Sequence, residues 1–331
     1  MKKTILLFSS VFFISMNVAA QTGAPAVKIF SNFNYDISTE EGENPFKAFE
    51  VKRSYLGYSY KINDRFSTKI TFDVGNNEAG SSYTAFLKIA SLKWKASDNL
   101  NLNVGMVGTK NFKFMEKAWG KRYIYKSLQD QQKWASAADA GASIDYSFSN
   151  SLSIDMQILN GDGYKKVQGS DGLMRGGAGI TYKKGAISIR ASQDLKPRIS
   201  YTENDATQTI STIAGMYNIS KITMGGEYNI QENTDNVLDN TKTGMSAYAD
   251  FQLNDNYSLF GRYDQMSSEN VNGEQWNIDK DGTLTIFGIQ RKMTKGVTIA
   301  LNMQTWQDAT LEGEEEAEAE STLYINLEYK F

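Results

Sequence analysis

The sequence has 331 residues, with 35 Lys and Arg against 38 Asp and Glu, and contains no His and no Cys. Without His there is no Ser-His or Cys-His nucleophile pair and no imidazole metal ligand. Without Cys there is no disulfide framework, zinc knuckle, iron–sulfur site or lipidated N-terminal cysteine. The formal charge of −3 gives no sign of a nucleic-acid partner.

Residues 1–20 read as a secretory signal peptide. Lys2 and Lys3 form the positive end, residues 5–16 a short apolar run, and Val18-Ala19-Ala20 a small-residue cleavage site. Residues 21–331 remain as one domain of 311 residues with a net charge of −5. No stretch in it approaches the run of about 18 apolar residues that a membrane-spanning helix needs. A soluble secreted β-protein and an outer-membrane barrel stay open, because a barrel strand shows lipid only every second residue.

Period-2 alternation bounded by turn residues predicts sixteen strands. They fall at about 26–35, 47–61, 66–74, 83–96, 99–107, 137–148, 151–159, 174–183, 185–193, 208–219, 221–230, 242–253, 256–266, 282–292, 296–307 and 321–331. The alternation is clean at Leu152, Ile154, Met156 and Ile158, and again at Leu323, Ile325, Leu327, Tyr329 and Phe331. Residues 284–291 and 83–96 give no clean face, and a bulge is expected in the latter. Seven short turns rich in Asn, Asp, Gly and Ser alternate with eight longer loops. That order is the signature of an antiparallel transmembrane β-barrel, with short turns on the periplasmic side. Tyr60, Trp94, Phe148, Tyr182, Tyr217 and Phe251 each lie just before a short turn, as an aromatic girdle at one membrane interface would. The fold expected is all-β, a barrel of about 16 strands wide enough for an aqueous channel.

Four segments resemble the phosphate-selective porin O and P family of Gram-negative outer-membrane porins. They are FEVKRSYLGYSY at 49–60, FSTKITFDVG at 66–75, residues 105–141 from GMVGTKNFKFME to DAGASIDYSF, and 158–183 from ILNGDGYKK to GGAGITYK. The resemblance covers about 45–190. It implies a 16-stranded pore with an infolded third loop, commonly a homotrimer, with Arg53 as an inward base and Asp73 as a strand-closing acid. The chain's last residues, ending in Tyr329 and Phe331, resemble the C-terminal signal read by the outer-membrane assembly machinery. The family's anion path relies on arginine, whereas the matching loop here carries mostly lysine.

The third long loop, 108–136, has 29 residues. Its length marks it as functional, and its aromatic content argues against disorder. Lys110, Lys113, Lys117, Lys121, Arg122, Lys126 and Lys133 stand against Glu116 and Asp130, a net +5, while the rest of the mature chain carries −10. The loop is expected to fold into the lumen and narrow it, its bases favouring anions. Lumen-facing bases are expected at Arg53, Lys69, Lys93, Arg190 and Arg262, and acids at Asp73, Asp145, Asp155, Glu227, Asp250 and Asp264. The last loop, 308–320, holds seven acids and no base. It reads as a solvated tip, with divalent-cation bridging as the alternative. Asn160-Gly161-Asp162-Gly163 lacks the ligand spacing of a calcium loop and reads as a turn.

These features point to a pore for passive diffusion of small hydrophilic solutes, with some anion preference that includes phosphate. No cofactor, metal or catalytic group is expected. Its surroundings would be outer-membrane lipid and small anionic or polar solutes. A structural or adhesive barrel whose loops bind a partner is the rival. An outer-membrane hydrolase is a weaker one, since the usual triads need His.

Overall fold

The computed structural model describes residues 23–76, 80, 82–169, 172–198, 202–310 and 314–331. The expected signal segment 1–20 and Glu312 of the acidic loop lie outside them. Sixteen strands follow one another, each antiparallel to the next: β1 (Gly23–Asp36), β2 (Lys47–Lys61), β3 (Phe66–Asn76), β4 (Tyr83–Lys95), β5 (Leu100–Gly108), β6 (Ala138–Ser147), β7 (Leu152–Leu159), β8 (Arg175–Lys184), β9 (Ile187–Lys196), β10 (Gln208–Ile219), β11 (Ile222–Glu232), β12 (Thr241–Gln252), β13 (Tyr257–Glu269), β14 (Gly282–Thr294), β15 (Val297–Asp308) and β16 (Glu320–Lys330). β1 pairs with β16, from Lys28 opposite Lys330 to Asp36 opposite Thr322, so the sheet closes and leaves no edge. Val27 and Phe331 exchange backbone hydrogen bonds of 2.9 and 3.1 Å at the seam, which ties the chain's last residue to its first strand.

Alternation assigns the faces. Leu301, Ile325, Met156 and Phe287 point outward and stay exposed, while Asn302, Asn326, Ser246 and Asp264 point inward and are buried. Five of the six girdle aromatics, Trp94, Phe148, Tyr182, Tyr217 and Phe251, are exposed on the outer face beside the short turns, and Tyr60 joins them half-buried. A barrel turned inside out in this way needs an apolar surround, since a row of exposed Ile, Leu and Phe is unfavourable in water.

Both irregular segments have a physical cause. The β3–β4 register slips between Thr71 and Phe72, so β4 carries one extra residue, Lys88, at the bulge that the mixed pattern of 83–96 led us to expect. In β14, Leu284 and Ile286 face inward and are fully buried. That stretch is apolar on both faces because its lumenal side packs against loop three.

Loop three is not structureless. It forms α1 (Lys110–Trp119) and α2 (Leu128–Gln131). Met115, Ala118 and Trp119 recur at helical spacing and are buried, giving α1 an apolar stripe. Thr109 starts α1 in extended conformation, and Gly120 ends it at φ 68°, its N–H bonded to the Glu116 carbonyl at 2.9 Å. That left-handed C-cap is the position where a missing Cβ costs least. A search for period 2 alone passes over this 3.6-residue pattern.

Candidate functional site

Loop three crosses the lumen and is held by strands all around the barrel. Near its start, the Lys110 N–H donates to Gln157 of β7 at 2.9 Å, and the Lys110 ammonium meets Asp145 of β6 at 2.5 Å. In its middle, Arg122 donates to the Tyr55 hydroxyl of β2 at 3.1 Å. The Tyr123 hydroxyl donates to Gln290 of β14 at 2.8 Å, and Asn326 of β16 donates to the Tyr123 carbonyl at 3.3 Å. Gln129 reaches the other way, donating to Thr212 of β10 and Asn229 of β11, both at 2.7 Å.

Apolar contacts reinforce this net. Trp119 packs edge-on against Tyr248 and Phe260, with ring centroids 5.5 and 6.2 Å apart. Phe30, Tyr123, Ile124, Leu284 and Ile286 complete one cluster, and Leu128, Trp134, Ile210 and Met266 form a second. Each large side chain buried here contributes about 2 kcal/mol. At Gly244 of β12 a Cβ would lie 2.8 Å from a Leu128 methyl and 3.2 Å from the Trp134 ring. The wall is thus locally thinned to admit α2.

All the expected wall charges lie on the inward face, but most meet an opposite charge there. Arg53 binds Asp73 at 3.0 Å, and Lys88 approaches the same carboxylate at 3.6 Å. Arg190 grips Asp155 with two bonds of 2.6 and 2.9 Å. Arg262 does the same to Asp264, at 2.7 and 2.8 Å, while its guanidinium stacks over Trp119 and Tyr125. Buried Glu227 accepts a 3.1 Å bond from Asn229. Such bidentate pairs carry little net field beyond their surroundings.

Of the seven loop bases expected at the constriction, three are ion-paired among the described residues. Lys110 is neutralised by Asp145, Lys121 by Asp250, and Arg122 by Asp130 at 2.5 Å and Glu116 at 3.3 Å. Burial lowers the Lys121 pKa even with Asp250 beside it. Burial also works against the Arg122 charge, but Tyr55, Asp130 and Glu116 outweigh it and raise its pKa above the ordinary value. Lys117 and Lys133 are exposed. The wall acids Asp145 and Asp250 draw in two of the loop bases, whereas the partners of Arg122 are acids of the loop itself.

Lys69, Lys93 and Lys113 are different, because none of them has an ion-pair partner among the described residues. They share a cavity of about 430 Å³ between α1 and strands β2–β6, with Lys61, Ser59, Ser67, Ser91, Asn103 and Ser143. Lys93 is registered beside Ser67 and Lys69 beside Ser91, so the two lysines project from neighbouring strands into the same space. Enclosure by the barrel, then the charge of Lys110, holds the Lys113 amine below the ordinary lysine range. Among the described residues Lys126 also lacks an ion pair, and it lies across the loop in a second cavity of about 350 Å³.

Sequence reasoning missed Lys88, Gln129, Tyr55 and Tyr164. The Lys88 ammonium sits over the Tyr55 and Tyr164 rings at 4.8 and 5.1 Å, and the Tyr164 hydroxyl donates to Asp73 at 2.6 Å. Lys88 was hidden by the bulge that turns it inward. No group of three or more Asp or Glu able to hold a metal ion occurs among the described residues. The described acids of the last loop, Asp308, Glu314, Glu315, Glu316, Glu318 and Glu320, are exposed, as a solvated tip requires.

Comparison with known proteins bears on this geometry. No curated protein matches the chain. Among solved structures, the outer-membrane channel DcaP of Acinetobacter baumannii superposes with a TM-score of 0.72 at 12% identity, over 95% of this chain and 98% of that one. OprB of Pseudomonas putida gives 0.71 at 7% identity, over 93% and 94%. OmpT of Vibrio cholerae gives 0.64 at 15% identity, over 94% and 98%. These identities carry the fold alone. A family model described as "Putative beta-barrel porin-2, OmpL-like" matches residues 133–322, from the end of loop three into the last strand. The expected kinship is thus met at the level of a porin, while the porin O and P family itself is not the one that matches. The chain belongs to the β-barrel porin-2, OmpL-like, family, and its closed 16-stranded sheet is that of an outer-membrane porin channel.

Proposed function

We propose that the protein lets small hydrophilic solutes diffuse passively across the outer membrane and favours anions, inorganic phosphate among them. The observation that carries the preference is the cavity lined by Lys69, Lys93 and Lys113. The other lumenal charges largely cancel in pairs, so these three set the field beside α1. In a narrow, low-dielectric passage a few uncompensated charges outweigh a larger opposite charge elsewhere. No step of this reading needs a catalytic group or a cofactor.

The long-loop end then faces the cell exterior and the short turns face the periplasm. The reading also takes residues 1–20 as a cleaved signal, and Tyr329 and Phe331 as part of an assembly signal. It takes a homotrimer as the working form. One of the similar structures is titled as a trimer form of Vibrio cholerae OmpT.

One observation favours a second reading. Loop three is bonded to strands around the whole circumference, which suits a structural or adhesive barrel with a closed lumen. Reconstitution in planar bilayers across a salt gradient separates the two. Ohmic channels with an anion-selective reversal potential support the proposal. Absence of conductance from correctly folded protein overturns the pore. Cation selectivity overturns the lysine argument and leaves the pore standing.

A further inference from the structure

The second cavity lies at the long-loop end, between loop three and the wall formed by β15, β16, β1 and β2. Asn32, Gln304 and Tyr324 line it from the wall, and Tyr125, Lys126 and Gln131 from the loop. Its volume of about 350 Å³ falls within the range of small-molecule sites.

Its charges are uneven. Lys52 is paired with Glu50 at 2.6 Å, Arg53 with Asp73 at 3.0 Å, and Arg122 with Asp130 and Glu116. Lys126 has no ion pair or side-chain hydrogen bond among the described residues, although Arg262 fixes its backbone carbonyl. Four charged groups bear on its amine. Arg53 of β2, Arg122 of loop three and Lys165 of the fourth long loop repel it, and Asp130 of α2, already held by Arg122, attracts it. A partly enclosed ammonium with one shared carboxylate and three cations around it lacks a counter-anion.

Asn32 supplies an independent observation. It is 6% exposed, yet among the described residues its carboxamide oxygen has no hydrogen-bond partner. A buried acceptor left unmet costs about 1–3 kcal/mol, and it calls for a donor. A bare fatty carboxylate brings an acceptor only. A ligand that meets both Lys126 and Asn32 must carry an anionic group and O–H donors. Gln131, Gln304 and the Tyr324 hydroxyl both donate and accept, as sugar hydroxyls require. The Phe30 and Tyr125 rings offer apolar faces for the C–H side of a pyranose.

We infer that this cavity binds a compact hydroxylated monocarboxylate, a sugar acid of hexuronate size, with its carboxylate on Lys126 and a hydroxyl on Asn32. The site lies on the route taken by solutes of the proposed pore, and its role in uptake rests on that reading.

Calorimetric titration of the folded, detergent-solubilised full chain tests it, with sodium D-glucuronate as the probe and D-glucose and sodium acetate as comparators. The expected result is saturable one-to-one binding of glucuronate, at least tenfold tighter than either comparator. Lys126→Met and Asn32→Leu should each weaken glucuronate binding tenfold or more. Because either variant could disturb folding, the unmodified protein is also titrated at pH 7 and pH 9.5. Burial, opposed by Asp130, pushes the Lys126 pKa down to about 8. Affinity for glucuronate should therefore fall about tenfold or more between those two pH values. Glucuronate binding no tighter than glucose or acetate, or equally tight at both pH values, overturns the inference. Bilayer conductance without glucuronate binding overturns this inference alone, whereas glucuronate binding without conductance overturns the pore reading alone.

Discussion

Arg262 of β13 donates a 2.7 Å hydrogen bond to the backbone carbonyl of Lys126, 136 positions earlier in the chain. The same guanidinium holds Asp264 with its other nitrogens and stacks on Trp119 and Tyr125. One buried side chain thus fastens loop three to the wall through a hydrogen bond, an ion pair and two aromatic faces.

Replacing Arg262 by Met should therefore release the loop. It strands the buried Asp264 carboxylate, a loss of about 3–5 kcal/mol for a broken buried pair. The expected outcome is a larger single-channel conductance in bilayers and faster trypsin cleavage at Lys121 and Lys126. Unchanged conductance together with unchanged cleavage contradicts the fastening role.

The triple variant Lys69→Glu, Lys93→Glu, Lys113→Glu should shift the reversal potential in a salt gradient through zero, from anion to cation preference. Changing Lys121 and Lys110 to Met instead should move it far less, since Asp250 and Asp145 already neutralise those two. If the second pair moves the potential as much as the triple, the assignment of the field to the free lysines fails.

At Gly244 a valine would drive its side chain into Leu128 and Trp134. Overpacking of this kind costs about 1–3 kcal/mol and should displace α2. The temperature at which the folded band on a detergent gel converts to the unfolded one is the measure. A drop is expected for Gly244→Val and almost none for Val at Gly176, whose Cβ meets nothing within 4 Å.

Lys126 makes stability depend on pH in a definite direction. Its amine titrates near 8 in the folded protein and near the ordinary 10.5 once unfolded. Between those values the unfolded chain binds the extra proton, so this group's contribution to stability rises with pH and is smallest below about 8. Comparing unfolding temperatures at pH 7.5 and pH 10 for the unmodified protein and for Lys126→Met isolates the effect. The difference between the two proteins should narrow or change sign as pH rises. An identical pH profile in both excludes it.

The barrel was readable because its rule is local. Outward Leu, Ile and Phe alternate with inward Ser, Asn and Asp wherever one face meets lipid and the other water, as at Ile154 and Asp155. The rule breaks where the lumen is not water. Leu284, Ile286, Phe260 and Ile210 face inward yet are apolar, because loop three replaces the solvent there. The inward direction of Arg53, Lys69, Asp73, Lys93, Arg190 and Arg262 followed from alternation. Their partners did not, because Lys121 and Asp250, or Arg262 and Lys126, meet only after the sheet has closed. Charge counted along loop three measured what the loop carries, and the wall decided how much of it stays uncompensated. Lys88 was lost to the bulge, which shifts every later residue of β4 by one place.

Tyr123 is held by Gln290 and Asn326, residues of β14 and β16 that are synthesised long after it. Until those strands join the sheet, the loop's centre lacks these two anchors and keeps only earlier ones such as Tyr55 of β2. The constriction therefore gains its full set of bonds only once the barrel has closed.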